Sequence, residues 1–80
     1  MDKEYLQNVY DYLREENREY YLATKESQKT MIEKRVRLYS HNIKADLYCI
    51  LNENAGSGLF EHGFFQTDLS RSLKILKDLL

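Results

Sequence analysis

The stretch QKTMIEKRVRLYSHNIKADLYCILNEN, residues 28–54, contains neither glycine nor proline, and apolar residues recur along it at helical spacing. Ile32, Val36, Tyr39, Ile43, Leu47 and Ile50 step by 4, 3, 4, 4 and 3, a stripe along one side of a helix. A second, narrower stripe of Met31, Leu38, Ala45 and Cys49 lies about 120° away at 100° per residue. A helix with two apolar faces has to be covered on two sides. The stretch therefore reads as one long central helix, with neighbouring helices or a second copy of the chain over both faces.

Toward the N-terminus, Tyr5, Leu6, Val9, Tyr10, Leu13 and Tyr20 share one side of a helical wheel. Asp2 suits the N-cap, because its carboxylate accepts from amides two and three residues on. The first helix is expected over residues 3–22. The segment ATKESQKT, residues 23–30, then breaks the apolar phase, and Thr24 and Ser27 are natural caps. A tight turn near residues 23–27 follows. The competing reading is one continuous helix to residue 54, which needs a long partner to cover it. The break is preferred, since an isolated long helix would not bury its face.

Toward the C-terminus, NENAGSGLFEHGFFQTD, residues 52–68, holds all 3 glycines and all 3 phenylalanines of the chain. Gly56 suits the left-handed position that closes a helix end, and Gly58 and Gly63 suit further bends with positive φ. Phe60, Phe64 and Phe65 have two readings: a plug folded over the end of the bundle, or an exposed hydrophobic binding loop. The Gly-Ser-Gly triplet follows a helix rather than a strand, so it lacks the context of a phosphate loop. After it, TDLSRSLKILKDLL restarts the helical period, with Thr67 or Asp68 as cap. Leu69, Leu73, Leu76 and Leu80 form the stripe, widened by Ile75 and Leu79. The reading is an all-α fold of residues 1–80 as a single helical domain. It is a helical hairpin with a long central second helix, plus a third C-terminal helix joined by the Gly/Phe-rich loop, a three-helix bundle.

Eighty residues give a core of marginal size, supplemented in small proteins by disulfides, metals or oligomerisation. A single cysteine excludes an intrachain disulfide. His41 and His62 lie far apart, with no second cysteine, so neither metal nor cofactor is expected. Cys49, on the narrow stripe, reads as a buried inert thiol. Oligomerisation remains, and a homodimer is expected. The N-terminus lacks the pattern of a signal peptide and no apolar run spans a membrane, which reads as a cytoplasmic protein. Usage rich in Lys, Asn, Ile and Tyr suits an AT-rich genome, such as a low-GC bacterium or its mobile elements.

The net charge of −1 gives no basic excess of the kind that drives nucleic-acid binding. Locally, Lys34, Arg37, His41 and Lys44 form a basic face on the second helix, and Glu4, Asp11, Glu15 and Glu19 an acidic line on the first. These read either as solvated faces that bias hairpin pairing or as surfaces for charged partners. The chain has 7 tyrosines, all before residue 49. Tyr5, Tyr12 and Tyr20 edge the apolar stripe, where a partner could cover them, since tyrosine is enriched at interfaces. No nucleophile elbow or oriented base is recognisable, so no enzymatic activity is expected. The leading expectation is a small non-enzymatic protein-binding module, a regulator, adaptor or inhibitor. Its partner-facing candidates are Tyr5, Tyr12, Tyr20, Met31, Leu38, Phe60, Phe64 and Phe65. The alternatives are a nucleic-acid-binding regulator using the basic face, and a structural or assembly subunit.

Overall fold

The computed structural model describes residues 1–80. Its elements are α1 (Lys3–Leu22), α2 (Glu26–Ser40), α3 (Ala45–Glu53), a 3₁₀ turn (His62–Phe64) and α4 (Phe65–Leu79), with no strand. No helix is long and apolar enough to cross a membrane. Asp2 caps α1, accepting from the Glu4 amide at 3.1 Å. The turn after α1 is closed by Gln28 rather than by Thr24 or Ser27: its side-chain oxygen accepts from the amides of Thr24 and Lys25, both at 3.3 Å.

The long second helix of the sequence reading is two helices, α2 and α3, separated by a bend at His41–Lys44. The bend has a local and a tertiary cause. Locally, the Ser40 hydroxyl donates to the Arg37 carbonyl at 2.6 Å, and the Asn42 side-chain amide donates to the Leu38 carbonyl at 2.8 Å. These short polar side chains occupy carbonyls near the helix end and compete with its continuation. From across the fold, the Tyr5 hydroxyl accepts from the Lys44 amide at 2.8 Å, giving that amide a partner outside any helix. Beyond the bend the apolar phase restarts. Leu47 and Leu51 are buried, while Ile43 and Ile50 are only half-buried.

The bend also moves the centre of the fold. α1, not the second helix, is the hub, with α4 along one side and α2 along another. At about 1.5 Å per residue its 20 residues span about 30 Å, most of the 36 Å long axis of the molecule. The core is one cluster: Leu6, Val9 and Leu13 of α1, Ile32 and Val36 of α2, Leu47 and Leu51 of α3, Leu59 and Phe60, and Phe65, Leu69 and Leu76 of α4.

The Gly/Phe loop departs from its sequence reading in one respect. No glycine takes a positive φ; the left-handed residue is Phe60, at φ 63°. Gly56 is required for space instead, because a Cβ there would lie 2.6 Å from the Phe64 ring. Asp68 does not cap α4 but sits buried in its first turn, where its two oxygens accept from the amides of Gly56 (3.2 Å) and Phe60 (3.1 Å). Asn52 accepts from the Leu59 amide at 3.0 Å, and Arg71 donates to the Asn54 carbonyl at 2.6 Å. Phe60 and Phe65 are core residues with tilted rings 5.9 Å apart, as in the plug reading, while Phe64 stays exposed.

Chemical denaturation should report Leu47→Ala and Leu69→Ala as costing about 2–5 kcal/mol each, and Leu38→Ala no more than about 0.5 kcal/mol. Gly56→Ala should destabilise, because the Phe64 ring must shift, whereas Gly63→Ala, with open space at its Cβ, should not.

Candidate protein-binding surface

The site is framed by the α1–α2 hairpin, whose two helices run antiparallel and are laced by polar side chains. Tyr5 meets Lys44, Tyr12 stacks on Tyr39 with ring centroids 3.9 Å apart, Glu16 binds Arg35, and Tyr20 binds Glu33. The partners descend from Lys44 in the bend along α2 to Glu33 as the pairs ascend α1 from Tyr5 to Tyr20. The tyrosines placed by the sequence reading at a partner rim are therefore used inside the chain. The Tyr12 hydroxyl donates to Glu16 at 2.8 Å, and the Tyr20 hydroxyl to Glu33 at 3.0 Å. Lys44 Nζ stands 4.8 Å from the centre of the Tyr5 ring.

Two glutamates are withdrawn from water: Glu16 is 4% exposed and Glu33 is 2% exposed. Both are satisfied, and no buried side-chain polar atom lacks a hydrogen-bond partner. Arg35 Nη2 donates to Glu16 at 2.7 Å and to Glu19 at 2.9 Å. His62 Nδ1 lies 2.8 Å from Glu33, and Arg37 Nη1 lies 3.7 Å from it. Burial pushes the Glu16 carboxyl up, but hydrogen bonds from Arg35 and Tyr12 outweigh it and hold the group below the ordinary range. Glu19 is held above that range, chiefly by the neighbouring Glu16 carboxyl. One guanidinium thus serves two carboxyl groups. Burial and the Glu16 carboxylate raise the Tyr12 phenol, burial and Glu33 push Tyr20 up to about 12, and burial beside Tyr5 raises Tyr39. The bond to Glu16 raises the Arg35 guanidinium.

The charged rows of the sequence are also redistributed. Of the basic row, Arg37 is half-buried and donates to the Phe60 carbonyl at 2.9 Å. His41 follows the end of α2, its ring 6.1 Å from Tyr48, and Lys44 ends the bend as the residue before α3. Lys34 alone keeps an exposed place within α2. Of the acidic row, Glu4 is exposed, Asp11 accepts from Gln7 at 2.9 Å, Glu15 pairs with Arg18 at 3.4 Å, and Glu19 is claimed by Arg35.

Of the partner-facing candidates, Met31, Leu38 and Phe64 remain exposed, and the first two share the outer face of α2. Met31 is 64% exposed and Leu38 is 66% exposed, and Ala45 and Cys49, the rest of the narrow stripe, are exposed as well. The thiol expected to be buried is therefore on the surface. Beside Met31 an open groove of about 420 Å³ runs between the end of α1 and α2, lined by Leu22, Ala23, Met31 and Ile32 with the Glu19–Arg35 pair at its edge. Leu22, 60% exposed, was missed by the sequence reading, although it falls on the wheel opposite the α1 core stripe. Glu16, Glu33 and Arg35 were missed too. The signal for Glu16 was its place in phase with Leu6, Val9 and Leu13, where a carboxylate calls for a buried partner.

Comparison with known proteins returns no similar family model, curated protein or solved structure.

Titration of the side-chain carboxyls by NMR should place Glu16 below the ordinary glutamate value of about 4.3 and Glu19 above it. The part of the stability that rests on Glu16 is then present above about pH 4.3 and lost as the pH falls through its lower folded value. Arg35→Ala should raise the Glu16 midpoint and cost on the order of 2 kcal/mol, because a buried carboxylate loses its main donor. An unchanged Glu16 midpoint in that variant would disprove the assignment.

Proposed function

We propose that this chain is a small non-enzymatic protein-binding module, a regulator, adaptor or inhibitor, that acts as a homodimer through the outer face of α2. One observation carries the reading. Met31 and Leu38, seven residues apart, stand out from α2 while Ile32 and Val36 on its inner side are buried. Leu22 and the groove beside Met31 extend the face toward the end of α1. Large apolar side chains grouped on one surface mark sites of association.

A second copy is the occupant that suits an 80-residue domain with a small core and no disulfide. Two-fold pairing, the commonest arrangement of soluble oligomers, lets one surface meet itself. Met31 and Leu38 would supply its apolar centre. Lys34 and Arg35, between them in sequence, would flank it, with Arg35 already neutralised by Glu16 and Glu19. The tyrosines contribute by stiffening the hairpin that presents this face.

Sedimentation equilibrium at micromolar concentration should give about twice the 9.6 kDa chain mass. Leu38→Glu and Met31→Glu should each reduce it to the single-chain value while leaving the helical circular dichroism unchanged. A 9.6 kDa species for the unaltered protein rejects self-association.

A further inference from the structure

We infer that residues 55–64 form a latch that opens as a unit while the four helices stay folded, and that Arg37 is its pin. The inference rests on how this segment is held. Within residues 55–64 only two backbone–backbone hydrogen bonds have both ends inside the segment, from the Glu61 amide to the Gly58 carbonyl at 3.2 Å and from the Phe64 amide to the Glu61 carbonyl at 3.0 Å, and a third ties the Ala55 amide back to the Asn52 carbonyl at 3.1 Å. Its other anchors are side chains reaching in from three helices. Asp68 of α4 holds the amides of Gly56 and Phe60, and Asn52 of α3 holds that of Leu59. Arg37 of α2 holds the Phe60 carbonyl. Segments tethered in this way, with a single 3₁₀ turn in place of a longer helical ladder, lie at the low end of local stability.

Phe60 is where the latch stores strain. Its φ of 63° puts a β-carbon in the left-handed region, which a phenylalanine avoids outside a structure that imposes it. Here the imposition is explicit, because Asp68 fixes the amide and Arg37 the carbonyl of the same residue. Opening releases that conformation.

The pin is tied to the hairpin as well. Arg37 lies beside Glu33, which also receives the loop's His62 and the Tyr20 hydroxyl of α1. Tyr20 in turn packs its ring 4.8 Å from Phe65, and Phe65 packs on Phe60, so the contacts close a ring around the loop. The closed state conceals Leu59 and Phe60, which are 5% and 1% exposed. The open state displays them as an apolar pair, separate from the face of α2.

Native-state hydrogen exchange followed by NMR tests this without reference to oligomeric state. The amides of Leu59 and Phe60, both hydrogen-bonded in the closed form, should exchange at least tenfold faster than those of Leu13 and Leu69, and with weaker dependence on denaturant. Arg37→Ala should raise the Leu59 and Phe60 rates by a further tenfold or more and leave Leu13 and Leu69 unchanged. Asp68→Asn, which removes only one acceptor oxygen, should act in the same direction and serves if Arg37→Ala does not fold. The latch is rejected if the loop and helix amides exchange at one common rate in the unaltered protein, or if both variants accelerate all four amides equally.

Discussion

A carboxylate removed from water has to find its partners inside the protein, and Glu33 finds them on three different elements. The Tyr20 hydroxyl reaches it from α1, His62 from the loop before α4, and Arg37 from one turn along its own helix. Tyr20 and His62 meet at Glu33 only if α1 and α2 lie antiparallel in one alignment and the loop folds back across them. Glu16 imposes the same alignment from the other helix through Arg35. Paired burial of charge is weak support for stability as such, since well-packed apolar side chains do as well. Its consequence here is register, because a slip of one turn would take Arg35 from Glu16 and Tyr20 from Glu33, leaving each buried carboxylate short of its partner on the facing helix.

The bend at His41–Lys44 follows from that register. With the hairpin aligned through residues 16–35 and 20–33, Tyr5 at the start of α1 comes level with Lys44 and accepts its amide. A straight helix through this region would need that amide for its own ladder. Breaking there lets Leu47 and Leu51 enter the core and leaves Met31, Leu38, Ala45 and Cys49 outside. The apolar face of α2 is thus a by-product of how the core was completed, and it is the surface on which the proposed association depends.

The loop shows why composition alone misleads about conformation. Three glycines in one connector suggest left-handed turns, yet the one left-handed residue is Phe60. Glycine permits a positive φ but does not require it. What places Phe60 there is Asp68, whose two oxygens gather amides four residues apart from within the first turn of α4. An aspartate near a helix start reads equally as a cap or as an anchor for another segment. Only the path of the loop separates the two.

The sequence by itself determined that the chain is helical, that α1 spans residues 3–22, that a turn follows it, and that a last helix carries a leucine stripe. These properties are local: periodicity, caps and the absence of breakers act within a few residues of one another. The tertiary structure decided that the second helix would break and that α1 would be the hub. It also decided that Tyr5, Tyr12 and Tyr20 would face inward and that Phe60 and Phe65 would be core. Each of these depends on a partner 13 or more residues away, as with Tyr20 and Glu33, or on one 39 residues away, as with Tyr5 and Lys44. A tyrosine at the edge of an apolar stripe has the same local pattern whether a neighbouring helix or a second molecule covers it. The difference lies in where the rest of the chain places its donors and acceptors, and that is fixed only when the buried carboxylates are satisfied.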